Sequence, residues 1–264
     1  MHHRHTKPEL YFNEQSVSTE RYIVPYIGSV LDLSLPITVA EVGCSYGGNL
    51  KPFLQRGCKI TGIDINSNSI KTAELFYEND PNRENLLLIA RDIYDITPDE
   101  LPAYDLIIMR DTLEHIHHQE HFLEHIKSFL KPSGKLFIAF PPWRMPFGGH
   151  QQMCDNRFLS HLPYFHLLPK RLYRWILKCF SEDENKIGSL LEIKETRLSI
   201  QRFHKIVNKQ DFAIEKETLY IINPNYEVKF GMKPRTLPLW MNIPVIRDFF
   251  TTACYGVLSL HKEY

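Results

Sequence analysis

The sequence predicts an α/β protein built on a doubly wound, parallel sheet with helices on both faces. Three observations predict it. Short apolar runs rich in β-branched residues alternate with helix-period segments between residues 37 and 140. The first run, Ile37-Thr38-Val39-Ala40, passes through Glu41 and Val42 into a turn carrying Gly43, Gly47 and Gly48. The next runs end at acids, Asp64 and Asp92, where the carboxyl ends of such a sheet take their ligands.

The elements follow in order. Residues 10–30 predict a leading helix with Tyr22, Ile23, Tyr26 and Ile27 on one stripe and Pro25 kinking or breaking it. This helix would bring Arg21 and Tyr22 near the front of the sheet. Beyond the glycine turn, Leu50, Phe53 and Leu54 stand at i, i+3 and i+4, one helical face. Strand, turn and helix start bring backbone close to a ligand and offer unpaired N–H groups. Without a ligand the same letters make a plain strand–helix turn.

Residues 58–65 are the second strand, ending in Asp64 and Ile65. An acid there, about 20 residues beyond the first turn, suits ribose hydroxyls; it would equally cap the helix that begins near 69. Leu86–Ala90 is the third strand, followed by Arg91-Asp92-Ile93. Asp92 can accept from the exocyclic amine of a purine, with Ile93 on the ring face; otherwise it is a solvated loop acid. Residues 102–110 form the fourth strand, 119–130 a helix with Phe122, Ile126 and Phe129 inward, Lys131–Gly134 a turn, and 135–140 the fifth strand.

The alternation then breaks. Residues 141–193 are rich in proline and aromatics and start at a strand end, which predicts a lid over the ligand. Within them Lys170, Arg171, Arg174 and Lys178 flank Leu167, Leu168, Leu172, Trp175 and Ile176. That stripe packs as lid core or, in the rival reading, contacts a membrane surface. A polar helix near 195–209, a strand at 212–222, a proline-bearing excursion at 223–247 and a closing strand at 249–261 complete seven strands. The resulting division is an N-terminal helical segment (1–36), a ligand-binding core (37–140), the insertion (141–193) and a C-terminal part with the closing strands (194–264).

Composition narrows the partners. Lys+Arg and Asp+Glu are both 31, so no general nucleic-acid footprint exists. Five cysteines without a C-x-x-C pattern predict reduced thiols, no structural zinc and a cytoplasmic setting. No apolar run reaches the ~20 residues of a membrane span, and no secretory leader is visible. Met1-His2-His3-Arg4-His5 could hold a metal loosely or simply fray. The oligomeric state is not legible.

Taken together, Glu41–Gly47, Gly62-Ile63-Asp64, Ala90-Arg91-Asp92-Ile93, Tyr104–Ile108, Asp111–Ile116 and Leu130–Leu136 resemble the Rossmann-like (class I) S-adenosylmethionine-dependent methyltransferases, of the type 11 and type 12 small-molecule kind. The resemblance covers about residues 37–140. It implies a mostly parallel seven-stranded sheet with one antiparallel closing strand. It implies S-adenosylmethionine as cofactor, with Glu41, Gly43, Cys44 and Gly47 around the methionine end and Arg110 near it. Asp64 would take the ribose hydroxyls with Ile65 against adenine, and Asp92 the adenine amine with Ile93 on the ring. Ser45 stands where the family usually has glycine.

Methyl transfer to oxygen asks for an aligned nucleophile, excluded water and a proton acceptor. His150, after Gly148-Gly149 at the lid entrance, is the first candidate base; His161 and His166 compete. Asp111, Glu114 and His115, at i, i+3 and i+4, would share a helical face. They resemble the metal positions of ubiquinone-pathway O-methyltransferases, although a capping Asp with a packed His explains the pattern without metal. The expected function is O-methylation of a partly apolar or sugar-bearing small molecule. The rivals are a non-catalytic cofactor-binding scaffold and a nicotinamide dehydrogenase, whose Gly-x-Gly-x-x-Gly turn is absent.

Overall fold

A computed structural model describes residues 7–261. The histidines of the first five residues lie outside them. One eight-stranded sheet in the order β3-β2-β1-β4-β5-β8-β6-β7 runs through the molecule. Its strands are β1 (Thr38–Val42), β2 (Lys59–Asp64), β3 (Leu86–Ala90), β4 (Tyr104–Arg110), β5 (Leu130–Phe140), β6 (Phe212–Ile222), β7 (Arg235–Thr236) and β8 (Ala253–Leu260). Strands β1 to β5 pair in parallel, and β8 runs antiparallel between β5 and β6. The order reverses at β1 and β4, which opens a crevice beyond their carboxyl ends.

Alternation along each strand feeds two cores. Ala40, Ile107, Met109 and Ile138 belong to one, Val39, Leu106, Ile108 and Phe137 to the other. The first is covered by Phe122 and Ile126 of α5 (Gln119–Lys127) and Phe203 and Ile206 of α9 (Ile200–Lys209). The second is covered by α1 (Pro8–Ser18), α2 (Val24–Gly28), α3 (Lys51–Leu54) and α4 (Ser67–Tyr77). Such strands are buried on both sides, which is why they read as apolar runs.

Several expectations shift. The leading helix does not break at Pro25. A π-helical turn at Thr19–Ile23 precedes it, and the chain stays helical to Gly28. The Lys131–Gly134 turn is a bulge inside β5: Leu130 pairs with Tyr104 but Lys135 with Leu106, so four residues bow out. The helix placed at 195–209 is two. Here α8 (Glu184–Thr196) stops at a left-handed Arg197, and Ser199 caps α9 through Arg202 N. The closing strand is shorter than expected because residues 246–250 coil into α11 (Ile246–Phe250). The eighth strand, β7, has two residues between prolines and leaves no periodic signal.

Between β5 and α8 lie α6 (Arg157–His161) and α7 (Lys170–Cys179). Leu159, Phe165, Tyr173, Leu177, Ile187 and Leu190 form a separate small core there. On α7 the buried face is Tyr173 and Leu177, whereas Leu172 and Trp175 point outward. The stripe expected to be lid core is therefore rotated. Three of its four cations are paired, Lys170 to Glu195 and Arg174 and Lys178 to Glu184.

Candidate functional site

A cavity of about 890 Å³ opens at the switch point of the sheet. Gly43 after β1, Asp64 and Ile65 after β2, Asp92 and Ile93 after β3, and Asp111 and Thr112 after β4 all line it. Gly43 holds φ +78°, and a Cβ there would stand 2.6 Å from Thr112 Oγ1. Only glycine lets the first turn pass this close to the end of β4.

The acids are held by backbone. Asp64 Oδ2 accepts from Ser45 N at 2.7 Å and Oδ1 from Asn66 N at 2.8 Å. Asp92 Oδ1 accepts from Tyr94 N at 3.0 Å. A carboxylate has about four lone-pair directions, so each keeps capacity for a ligand hydroxyl or amine. The turn itself differs from expectation. Gly43 N and Cys44 N donate to Ile63 O, Ser45 N to Asp64, and Gly47 N to Cys44 O. These N–H groups are spent inside the protein and offer nothing to a pyrophosphate.

Four residues expected at the cofactor lie outside the cavity lining. Cys44 is fully buried, where burial pushes its thiol well above the usual range. Gly47, also at positive φ, packs on Tyr77, whose hydroxyl donates to Gly47 O. Arg110 Nη1 donates to Asn49 Oδ1 at 2.7 Å, Ser18 Oγ at 2.9 Å and Thr19 Oγ1 at 3.3 Å. Glu41 is fully buried; Oε1 accepts from Asn49 Nδ2 at 2.6 Å, and Oε2 has no hydrogen-bond partner. Burial pushes its carboxyl up to about 8, with Asn49 and Arg110 opposing and Asp64 and Asp111 adding to the rise. Asn49, which the sequence reading passed over, thus ties Glu41 to Arg110 and to Thr19 of the π-helical turn.

The expected helical face of Asp111, Glu114 and His115 does not form. Asp111 has φ +54°, and only Leu113–His115 makes a single 3-10 turn. Glu114 and His115 meet His150 instead. Ligand atoms of these three side chains lie within 4.8 Å of one another, and the two imidazole rings are 4.9 Å apart. Glu114 is buried with neither carboxylate oxygen hydrogen-bonded. Burial, and then Asp111, hold it well above the usual carboxylate range. Desolvation lowers His115, with Asp111 opposing, while its side chain stays 44% exposed.

His150 is half-buried at φ +54° and reaches the cavity through His115, which lines it. The competing histidines do not approach. His161 is exposed with Nδ1 bonded to Arg157 O, and His166 is fully buried against Trp143 O and pushed down to about 4 by that burial. Arg21 and Tyr22 turn to Glu227 of α10 (Asn225–Phe230). The far rim, Tyr94, His117, His118 and His121, was missed, with Tyr94 stacked on His121. Its only sequence signal was the run of histidines from 115 to 125.

Residues 20–181 match the model of a family described as a methyltransferase domain. The ubiquinone biosynthesis O-methyltransferase of Rickettsia felis is 26% identical over 118 residues, 45% of this chain and 47% of that protein. The human mitochondrial enzyme of the same name is 29% identical over 106 residues, 40% of this chain and 29% of its own. The matches thus span less than half the length of these relatives. Among solved structures, magnesium protoporphyrin IX methyltransferase from Synechocystis PCC 6803, with bound S-adenosylhomocysteine, superposes with a TM-score of 0.56 at 14% identity. It covers 95% of this chain and 84% of that one. A plantazolicin methyltransferase superposes at 0.54 and 13% identity, covering 95% and 86%. At such identity the likeness is one of fold.

Proposed function

The chain belongs to the methyltransferase-domain family, and from that premise we propose that it transfers a methyl group from S-adenosylmethionine to an oxygen of a small, partly apolar or sugar-bearing molecule. The observation that carries this reading is the convergence of Gly43, Asp64, Ile65, Asp92 and Ile93 on one cavity, beside a turn in which the N–H groups of Gly43, Cys44, Ser45 and Gly47 are already used. Acids suit ribose hydroxyls and an adenine amine; the closed turn disfavours the pyrophosphate of a nicotinamide cofactor. The relatives named O-methyltransferases support oxygen as the acceptor atom.

The residues fit the cofactor on their own terms. Asp64 takes the ribose hydroxyls, Asp92 the adenine amine, and Ile65 and Ile93 flank the ring. Glu41, fully buried next to the lining residue Val42 with one oxygen unpartnered, ionises when the ammonium of the methionine end arrives and becomes its counter-charge. Bound there, S-adenosylmethionine supplies a methyl group already activated by its sulfonium. His150 accepts the proton of the acceptor hydroxyl, with the His115 ring packed beside it. The insertion after β5 carries His150, while none of its residues lines the cavity itself.

A specific observation favours a second reading of the same corner. The unpartnered oxygens of buried Glu114, with His115 and His150 in reach, make a donor set that fits a divalent cation. Such a cation would lower the pKa of an acceptor hydroxyl. Activity lost to a chelator and restored by one metal supports it; indifference to the chelator leaves His150 as the base. Among the described residues no helix is long and apolar enough to cross a membrane. Calorimetry tests the main reading: S-adenosylhomocysteine binds at micromolar levels or tighter and NAD does not, and the reverse order refutes it.

A further inference from the structure

Away from the cavity, the segment between α10 and β8 carries the strongest unexplained feature of the surface. Leu239 is 92% and Trp240 77% exposed, and Ile243, Val245, Ile246 and Phe250 are exposed beside them. Isolated apolar residues on a surface are ordinary; six within twelve positions are not. The protrusion is built rather than frayed. Leu237 is buried in the main core, and Met241 packs against it. At the other end buried Asp248 pairs with Arg144 at 3.0 Å, and Tyr164 donates to Phe249 O. Arg247 reaches back to Asn242 Oδ1 at 2.9 Å, which closes the loop on itself.

The backbone at the tip is strained. Val245 sits at φ +72°, ψ −49°, a γ-turn conformation that β-branched residues avoid. Strain held in place by anchors on both sides is a reason to look for function. The exposed charge around it has one sign. From Lys229 to Arg247 the chain carries four cations and no acid. Lys233 and Arg235 are exposed, with no ion pair among the described residues. On α7, by contrast, most cations are neutralised by Glu184 and Glu195.

We propose that the Leu239–Phe250 protrusion is a membrane-surface anchor, in which Leu239, Trp240, Ile243 and Ile246 enter the interfacial layer of an anionic bilayer while Lys233 and Arg235 meet its headgroups. Tryptophan and short aliphatic side chains at a turn tip partition into that layer, and cations beside them add attraction to anionic lipid. A second copy of the chain is the other occupant an apolar patch admits. A projecting tip bordered by unpaired cations would set like charges against each other in a two-fold contact, which favours the bilayer. The inference is independent of the methyl-transfer reading, since it uses no residue of the cavity.

Vesicle sedimentation tests it, with liposomes of phosphatidylcholine alone and with roughly one-third phosphatidylglycerol. The full chain binds the anionic vesicles, more weakly as salt rises. L239S/W240S lowers the partition coefficient at least tenfold, and K233E/R235E lowers it severalfold for anionic vesicles only. The thermal midpoint and circular dichroism of each variant, measured on the same samples, report that it is folded. In a W175F background, brominated lipid quenches Trp240, because the remaining Trp143 is buried. No binding to either vesicle, or binding that L239S/W240S leaves unchanged, overturns the proposal. So does concentration-dependent dimerisation of the wild type that the same variant abolishes.

Discussion

Glu41 shows how one residue couples burial to ligand. It is fully buried with one oxygen unpartnered, and burial lifts its carboxyl to about 8. In the free protein it is therefore largely protonated near neutrality. A cationic group arriving beside it favours the ionised form, so binding releases a proton and strengthens as pH rises. The affinity for S-adenosylhomocysteine should increase about tenfold or more between about pH 6 and about pH 8. In Glu41→Gln the rise should vanish; a flat wild-type profile would remove Glu41 from the ligand. For His150→Ala, the general-base reading predicts a fall in kcat of about 10²-fold or more. Cofactor affinity should stay nearly constant, and full turnover would exclude the residue. At this scale the cavity acids were legible, because an acid at a strand end is a local pattern. Asn49 was not, because its importance lies in joining Glu41, Arg110 and Thr19 from three elements.

Two glycines set how whole segments sit. A Cβ on Gly48 would lie 2.4 Å from Phe12 O, so α1 rests directly on the first turn. Gly48→Ala should cost about 1–3 kcal/mol. At roughly 2–4 °C per kcal/mol for a large domain, the thermal midpoint drops by several degrees. A Cβ on Gly149 would lie 2.1 Å from His166 Cβ, and buried His166 is itself held by Trp143 O. His166 cannot yield, so Gly149→Ala must displace the neighbouring His150. Turnover should fall about tenfold or more while cofactor affinity holds; unchanged turnover would mean that the position of His150 does not matter. The elements that the sequence showed well are those with one strong period, such as α5 over Gln119–Lys127 with Phe122 and Ile126 inward. The bulge in β5 and the rotated face of α7 depend on partners far along the chain. Local periodicity could not report either.

Across the molecule, the residues with candidate chemistry gather where the parallel strand order reverses between β1 and β4. The alternation of strands and helices up to residue 140 made this sheet legible, since parallel strands buried on both faces leave continuous apolar runs. Past residue 140 the fold is assembled from short helices and an antiparallel pair whose joining needs the finished sheet as template. A ligand confined to the native crevice should stabilise the whole domain. At a hundredfold excess over its dissociation constant the gain is about 2.7 kcal/mol. That raises the thermal midpoint by roughly 5–10 °C, whereas NAD should leave it unmoved. The most direct test of the account is calorimetric titration of S-adenosylhomocysteine into the wild type and Asp64→Ala. One saturable site, micromolar or tighter and weakened at least tenfold by the substitution, is the expected result. No saturable heat in the wild type, or equal affinity in both proteins, would contradict it.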